Sequence, residues 1–202
     1  MSVRRHAREA LFVCGSLVVV FNILGWSLNL QALIRFPDAA MVPSTAVSIA
    51  LLFIGSAAVL SRPAKKAAAK ICSLMAAAIA LINISLRKSS LPDLDHLVSN
   101  VMADDQMSEG TILCILVCAA TILSLASEKL RKFELHLSGA IAGVLLIIAV
   151  FILCRFVPGT SACPLIFQKM SFYTAVCFLV LFINLFVAAV VLPFQQHEDS
   201  GT

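Results

Sequence analysis

The sequence predicts an all-α protein, an integral membrane bundle of six transmembrane helices built from three helical-hairpin repeats, and three observations carry that prediction. Apolar residues make up 60% of the chain and charged residues 13%, against roughly 45–50% and 25% in soluble domains, and the apolar residues are gathered into blocks of spanning length. A short motif recurs three times, with Met41 and Thr45, Met107 and Thr111, and Met170 and Thr174 each opening an apolar run. The intervals between copies leave room for one further helix before each, so the repeating unit is a helical hairpin. Lys and Arg sit in short clusters at the block ends, where anionic headgroups rather than nucleic acid are their counterions.

Taken in order, the basic stretch 1–10, with Arg4, Arg5 and Arg8, precedes a first span over about 11–33. That run has no small-residue cleavage site and reads as a retained span, not a signal peptide. Asn22, Trp26 and Asn29 fall on one helical face, which should turn into the bundle because an amide in lipid is costly. Pro37 and Pro43 break the link RFPDAAMVP, and Thr45 is expected to cap the second span, about 45–60. The basic turn SRPAKKAAAK leads to the third, about 68–86, where Ala76 and Ala80 permit a close neighbour and Asn83 lies near the far end.

In the polar link SSLPDLDHLVSNVMADDQ, Leu91, Leu94, Leu97, Val98 and Val101 recur at helical spacing, which predicts a short amphipathic helix on the membrane surface. Its acids Asp93, Asp95, Asp104 and Asp105, with Glu109 beyond, follow no calcium-loop spacing and read as a solvated acidic loop. The fourth span covers about 111–126 and ends before Lys129, Arg131 and Lys132. A fifth, about 138–156, opens on the close-packing pair Gly139 and Gly143. After a link broken by Pro158, Gly159 and Pro164 comes the sixth, about 174–192, with Asn184 inside it. Pro193 is expected to end that span and leave a polar tail, 193–202.

Alternate connections hold ten Lys and Arg on one side and five on the other. The positive-inside rule therefore puts both termini in the cytoplasm and the three Met motifs at the outer face. Chemistry is sparse along this path. His6, His96, His136 and His197 all lie at span ends or in links, which argues against a haem ligated within the membrane. Six of the seven cysteines lie in apolar runs and only Cys163 in an exterior loop, so no disulfide framework is expected. Cys114 and Cys118 share a helical face but lack a third metal ligand, and read as small apolar fillers. No Asp, Glu or Lys lies mid-span, unlike in proton-coupled pumps. Candidate ligand-binding residues are Asn22, Trp26, Asn29 and Asn83, which could line a cavity for a small amphipathic molecule or bond between helices. The motif residues Met41, Pro43, Thr45, Met107, Thr111, Met170 and Thr174 form the other candidate set, with the threonines read as helix caps.

The segment MVPSTAVSIALLFIGSAAVL resembles the M-x-P-x-T-A-L-x-F-x-x-x-G-x-A-L-x-L signature of the multi-span N-terminal sensor regions (MASE-like) of bacterial histidine kinases and diguanylate cyclases. GWSLNLQALIRFPDAAMVPSTA is similar to that family's first hairpin and LPDLDHLVSNVMADDQMSEGT to its second link. The pattern falls on Met41, Pro43, Thr45, Ala46 and Gly55, then on Met107 and Thr111, then on Met170, Thr174 and Ala175. Glu109 and Phe172 stand where the proline would be. No output domain follows Pro193, so the chain looks like the sensor half alone, either a stand-alone regulator or a fragment.

The resemblance implies a multi-pass inner-membrane sensory or regulatory protein, not an enzyme, that relays a membrane or periplasmic cue to a cytoplasmic or membrane signalling partner. A small transporter or permease-like carrier is the alternative, and a membrane redox protein a weaker one. The expected partners are the lipid bilayer, that signalling protein and a second copy of the chain in a homo-oligomer, with no nucleic acid. No cofactor or metal is expected.

Overall fold

Where water is excluded, an apolar run satisfies its backbone groups most simply inside its own helix. The computed structural model, which describes residues 2–35, 40–59, 65–89, 91–98, 105–127, 145, 148 and 169–199, is accordingly all-helical, with no strand among the described residues. The helices are α1 (Ser2–Ser27), α2 (Gln31–Ile34), α3 (Pro43–Val59), α4 (Lys66–Lys88), α5 (Leu94–Val98), α6 (Glu109–Ala126) and α7 (Phe172–Asp199). Two of them, α4 and α6, are long and apolar enough to cross a membrane. Phe12–Ser27, Pro43–Val59 and Phe172–Phe186 are shorter apolar helices.

The third helix is the centre of the bundle and packs against α1, α4, α6 and α7. Its Ile49, Leu52 and Phe53 are buried with Ile115 and Ile122 of α6 and with Phe178 and Phe182 of α7. Close approach of α1 depends on Gly15, where a Cβ would lie 2.7 Å from that of Phe53. Gly55, the glycine of the motif, is less constrained, since a Cβ there would meet Ala69 and Ile122 at an ordinary 3.5 Å.

On α4 the usual arrangement of a soluble amphipathic helix is reversed. Ala69, Ser73, Ala76, Ala80 and Asn83 are buried, while Ile71, Leu74, Met75, Leu81 and Ile82 are about half exposed. Small residues face the neighbours, allowing backbones to approach, and the large apolar ones face outward. Phe12, Val20, Phe21 and Leu24 on α1 and Val176, Val180, Ile183 and Phe186 on α7 are exposed in the same way.

Several boundaries differ from those read in the sequence. The first helix stops at Ser27 and not near Leu33, because Asn29 takes a left-handed conformation, φ 52°. The Asn29 N–H donates to the Trp26 carbonyl and the Leu30 N–H to that of Gly25 at 2.8 Å, the Schellman ending of a helix, in which Asn is the commonest stand-in for Gly. The basic stretch 1–10 is helical from Ser2, and α7 runs through Pro193 to Asp199. Proline removes one hydrogen bond from a helix interior, and the helical backbone nevertheless continues past it. The sixth span's polar tail is thus partly an extension of the helix. Of the fifth span only Leu145 and Ile148 are described, and Gly139, Gly143, Cys154 and Cys163 lie outside the described residues.

Candidate functional site

The three Met motifs each place the Thr at the third position of a helix, and the second and third share a cap that differs from the threonine cap expected from the sequence. In the second copy Ser108 has extended dihedrals, φ −67° and ψ 155°, and its hydroxyl accepts the Thr111 N–H at 3.1 Å. The third copy repeats this, with the Ser171 hydroxyl accepting the Thr174 N–H at 3.4 Å. The residue after the Met is therefore the N-cap, and the Thr sits at the third helical position, giving its N–H. Met41, Met107, Met170 and the three threonines are all buried. Pro43, Glu109 and Phe172 occupy the first helical position. A proline loses nothing there, since its missing N–H would be unpaired anyway, and an acid favours the positive end of the helix dipole.

In the first copy the capping position falls to Val42, whose side chain cannot accept a hydrogen bond. A residue from the next link does so instead. Asp95 accepts the Ser44 N–H at 2.7 Å and the Ser44 hydroxyl at 2.5 Å. Asn83 ties the same group to α5, donating to the Ser44 hydroxyl at 3.1 Å and accepting the Leu94 N–H at 3.1 Å. Burial raises the Asp95 carboxyl above the ordinary value; the Ser44 hydrogen bonds oppose that rise, neighbouring Asp93 adds to it and His96 reduces it.

The acidic link is accordingly not a solvated loop. Asp93, Asp95 and Asp105 are all buried. Asp93 caps α5, accepting the His96 N–H at 3.1 Å and pairing with His96 Nδ1 at 2.6 Å. Arg35 forms an ion pair with Asp105 and so joins the first link to the second. The expected surface helix reduces to α5, docked on the ends of α3 and α4, with Leu91 and Leu97 exposed. Asp104 and Val101 lie outside the described residues.

Of the ligand-binding candidates, Asn22 and Trp26 converge on the first motif, where Asn22 Nδ2 and Trp26 Nε1 donate to the Met41 carbonyl at 2.6 and 3.1 Å. Asn29 is on the helix terminus instead, exposed and away from that face. Asn83 belongs to the Ser44 and Asp95 group. The second motif is held similarly, for the Arg87 guanidinium donates to the Met107 carbonyl. In each of these two copies a side chain from the preceding long helix grips the motif methionine through its carbonyl.

Sequence reasoning missed an open cleft at this end. A cleft of about 270 Å³ is lined by Arg87 of α4, Leu91, Pro92 and Asp93 of the link, His96 of α5, and Gln106. Three of its lining side chains carry or can carry charge. Within the bundle three buried hydroxyls turn back on their own helices, Ser48 to the Ser44 carbonyl, Ser73 to Ala69 and Thr121 to Val117, while the buried Ser56 hydroxyl has no partner among the described residues. Cys114 and Cys118 are fully buried, and no group of three metal-ligating side chains occurs among the described residues. Against known proteins, no family model, curated protein or solved structure matches this chain.

Proposed function

We propose that this chain is a multi-pass protein of the bacterial inner membrane, with both termini cytoplasmic, which senses a cue at its outer face and relays it to a cytoplasmic signalling partner. The observation that carries the membrane part is α4, with small residues packed inward and Ile71, Leu74, Met75, Leu81 and Ile82 turned outward. In water such a surface would drive aggregation, whereas in lipid it costs nothing. Six spans are the reading that the repeat supports, with α4 and α6 as its firmest members.

The relay part rests on the polar contacts at the Met-motif end. The Met-motif end is joined across hairpins by Asp95 to Ser44 and by Arg35 to Asp105. A ligand that prefers one arrangement of these contacts shifts the population toward that packing. The cleft lies at this same end. Transport is less well supported, because Ser48, Ser73 and Thr121 turn their hydroxyls to carbonyls of their own helices.

Two measurements test the two parts. In a cysteine-free background, L91C and L97C in intact cells should react with a membrane-impermeant maleimide, and K65C should react only after the membrane is opened. Labelling of K65C from outside would invert the topology. Cross-linking in native membranes should capture a partner bearing a kinase, cyclase or transcription-regulator domain, and recovery of this chain alone would remove the relay.

A further inference from the structure

Among the described residues at the Met-motif end, no carboxylate pairs with the Arg87 guanidinium. Asp105 is taken by Arg35, Asp93 by His96 and by the His96 backbone N–H, and Asp95 by Ser44. Among the described residues the half-buried Arg87 donates to the Met107 carbonyl alone, and its buried Nε has no hydrogen-bond partner. A carbonyl cannot neutralise a guanidinium, and an unpaired donor on a cation withdrawn from water is costly. The same side chain lines the cleft.

We propose that the cleft is a binding site for a small phosphate oxyanion, with Arg87 as its charged donor and Gln106 as a neutral one. Guanidinium nitrogens meet phosphate oxygens in a planar fork that ammonium groups cannot match. The volume of about 270 Å³ falls just below the usual range for small-molecule pockets, about 300–1,000 Å³, so the ligand is headgroup-sized. Asp93, which also lines the cleft, pairs with His96 at 2.6 Å, a contact that balances its charge when the imidazole is protonated.

Two sources could supply this chemistry, a lipid headgroup or free phosphate. The position favours the lipid. Arg87 closes a 23-residue apolar helix, where arginine reaches the headgroup layer, and Leu91 and Pro92 are exposed beside the cleft. The lipid source rests on the membrane reading, whereas the anion chemistry does not.

The test is calorimetric titration of the full chain in a neutral detergent with dihexanoyl phosphatidylglycerol, dihexanoyl phosphatidylcholine and inorganic phosphate as probes. Phosphatidylglycerol should bind and phosphatidylcholine should not. R87Q keeps a donor for the Met107 carbonyl, and Q106E puts an acid in the cleft without touching that bond. Each should weaken binding by about tenfold to a hundredfold, the usual range for one charge-assisted hydrogen bond. K88Q, altering the exposed neighbouring cation, should leave binding unchanged. Phosphate binding as tightly as the lipid supports the site with a free anion as its ligand. Equal binding of both lipids, no binding of any probe, or affinity unaltered in both R87Q and Q106E overturns the proposal. The topology labelling above is independent, so its failure would be told apart from failure of this site.

Discussion

At position 95 a carboxylate does for another helix what Ser108 and Ser171 do for their own. Replacing Asp95 with Ala removes the acceptor from the Ser44 N–H, and D95A should lower stability by about 1–2 kcal/mol, the range for a lost N-cap. S108A should cost about 1 kcal/mol by the same mechanism. Thermal unfolding in detergent measures both. D95N behaves differently, because it keeps an oxygen for Ser44 and removes the charge. The Asp95 pKa is raised by burial, so the folded state binds its proton more tightly than the unfolded chain does. That contribution is fully present below the unfolded value, about 3.9, and is lost as pH rises through the raised folded value. Acidification from neutral pH toward pH 4 should therefore stabilise the native chain relative to D95N. A stability difference that stays constant with pH would remove the buried carboxyl as its cause.

Among the elements, two glycines reverse the importance that a motif would assign them. Gly55 belongs to the repeat signature, yet a Cβ there meets only van der Waals contacts at 3.5 Å. G55A should be neutral or raise stability by about 0.5–1 kcal/mol through helix propensity. Gly15 lies outside the motif, and a Cβ placed 2.7 Å from Phe53 Cβ cannot be relieved by a rotamer change. G15A should cost about 1–3 kcal/mol by forcing α1 away from α3. Paired thermal melts decide between the two orders.

The same contrast explains how much was legible beforehand. Helix existence followed from apolar runs, and the starts of α3 and α6 lie within two residues of those expected. The cap was misplaced because serine and threonine cap almost equally well, and only the backbone angles of Ser108 separate them. The end of α1 was missed because its apolar run continues past Asn29, and nothing in hydropathy marks a left-handed residue. The site was the least legible part. The Asp95 bond to Ser44 and the Arg87 grip on Met107 pair residues far apart in the chain, and no local pattern encodes them. Asn22 and Trp26 were found by their spacing, but what they hold is a backbone carbonyl.

For the whole molecule, the polar contacts at one end tie the first two hairpins into a unit, and Arg35 with Asp105 is the part most open to direct test. The carboxylate is buried while Arg35 keeps about a quarter of its side chain exposed. D105N should lower stability by about 1–3 kcal/mol, less than for a fully buried pair. In a double-mutant cycle with R35Q, the second change should cost much less than it does alone. Additive losses would mean that the two residues act separately.

The bond from Asp95 to Ser44 spans 51 residues of chain, and this sets an order of events during synthesis. As the ribosome feeds the chain out, the third helix is complete before the acid that finishes its first turn has been made. The first hairpin therefore waits, with an open amide at its rim, until the second link emerges and closes it. A nascent chain that ended before Asp95 would lack the acceptor for the Ser44 N–H, and the first turn of α3 would lack that bond.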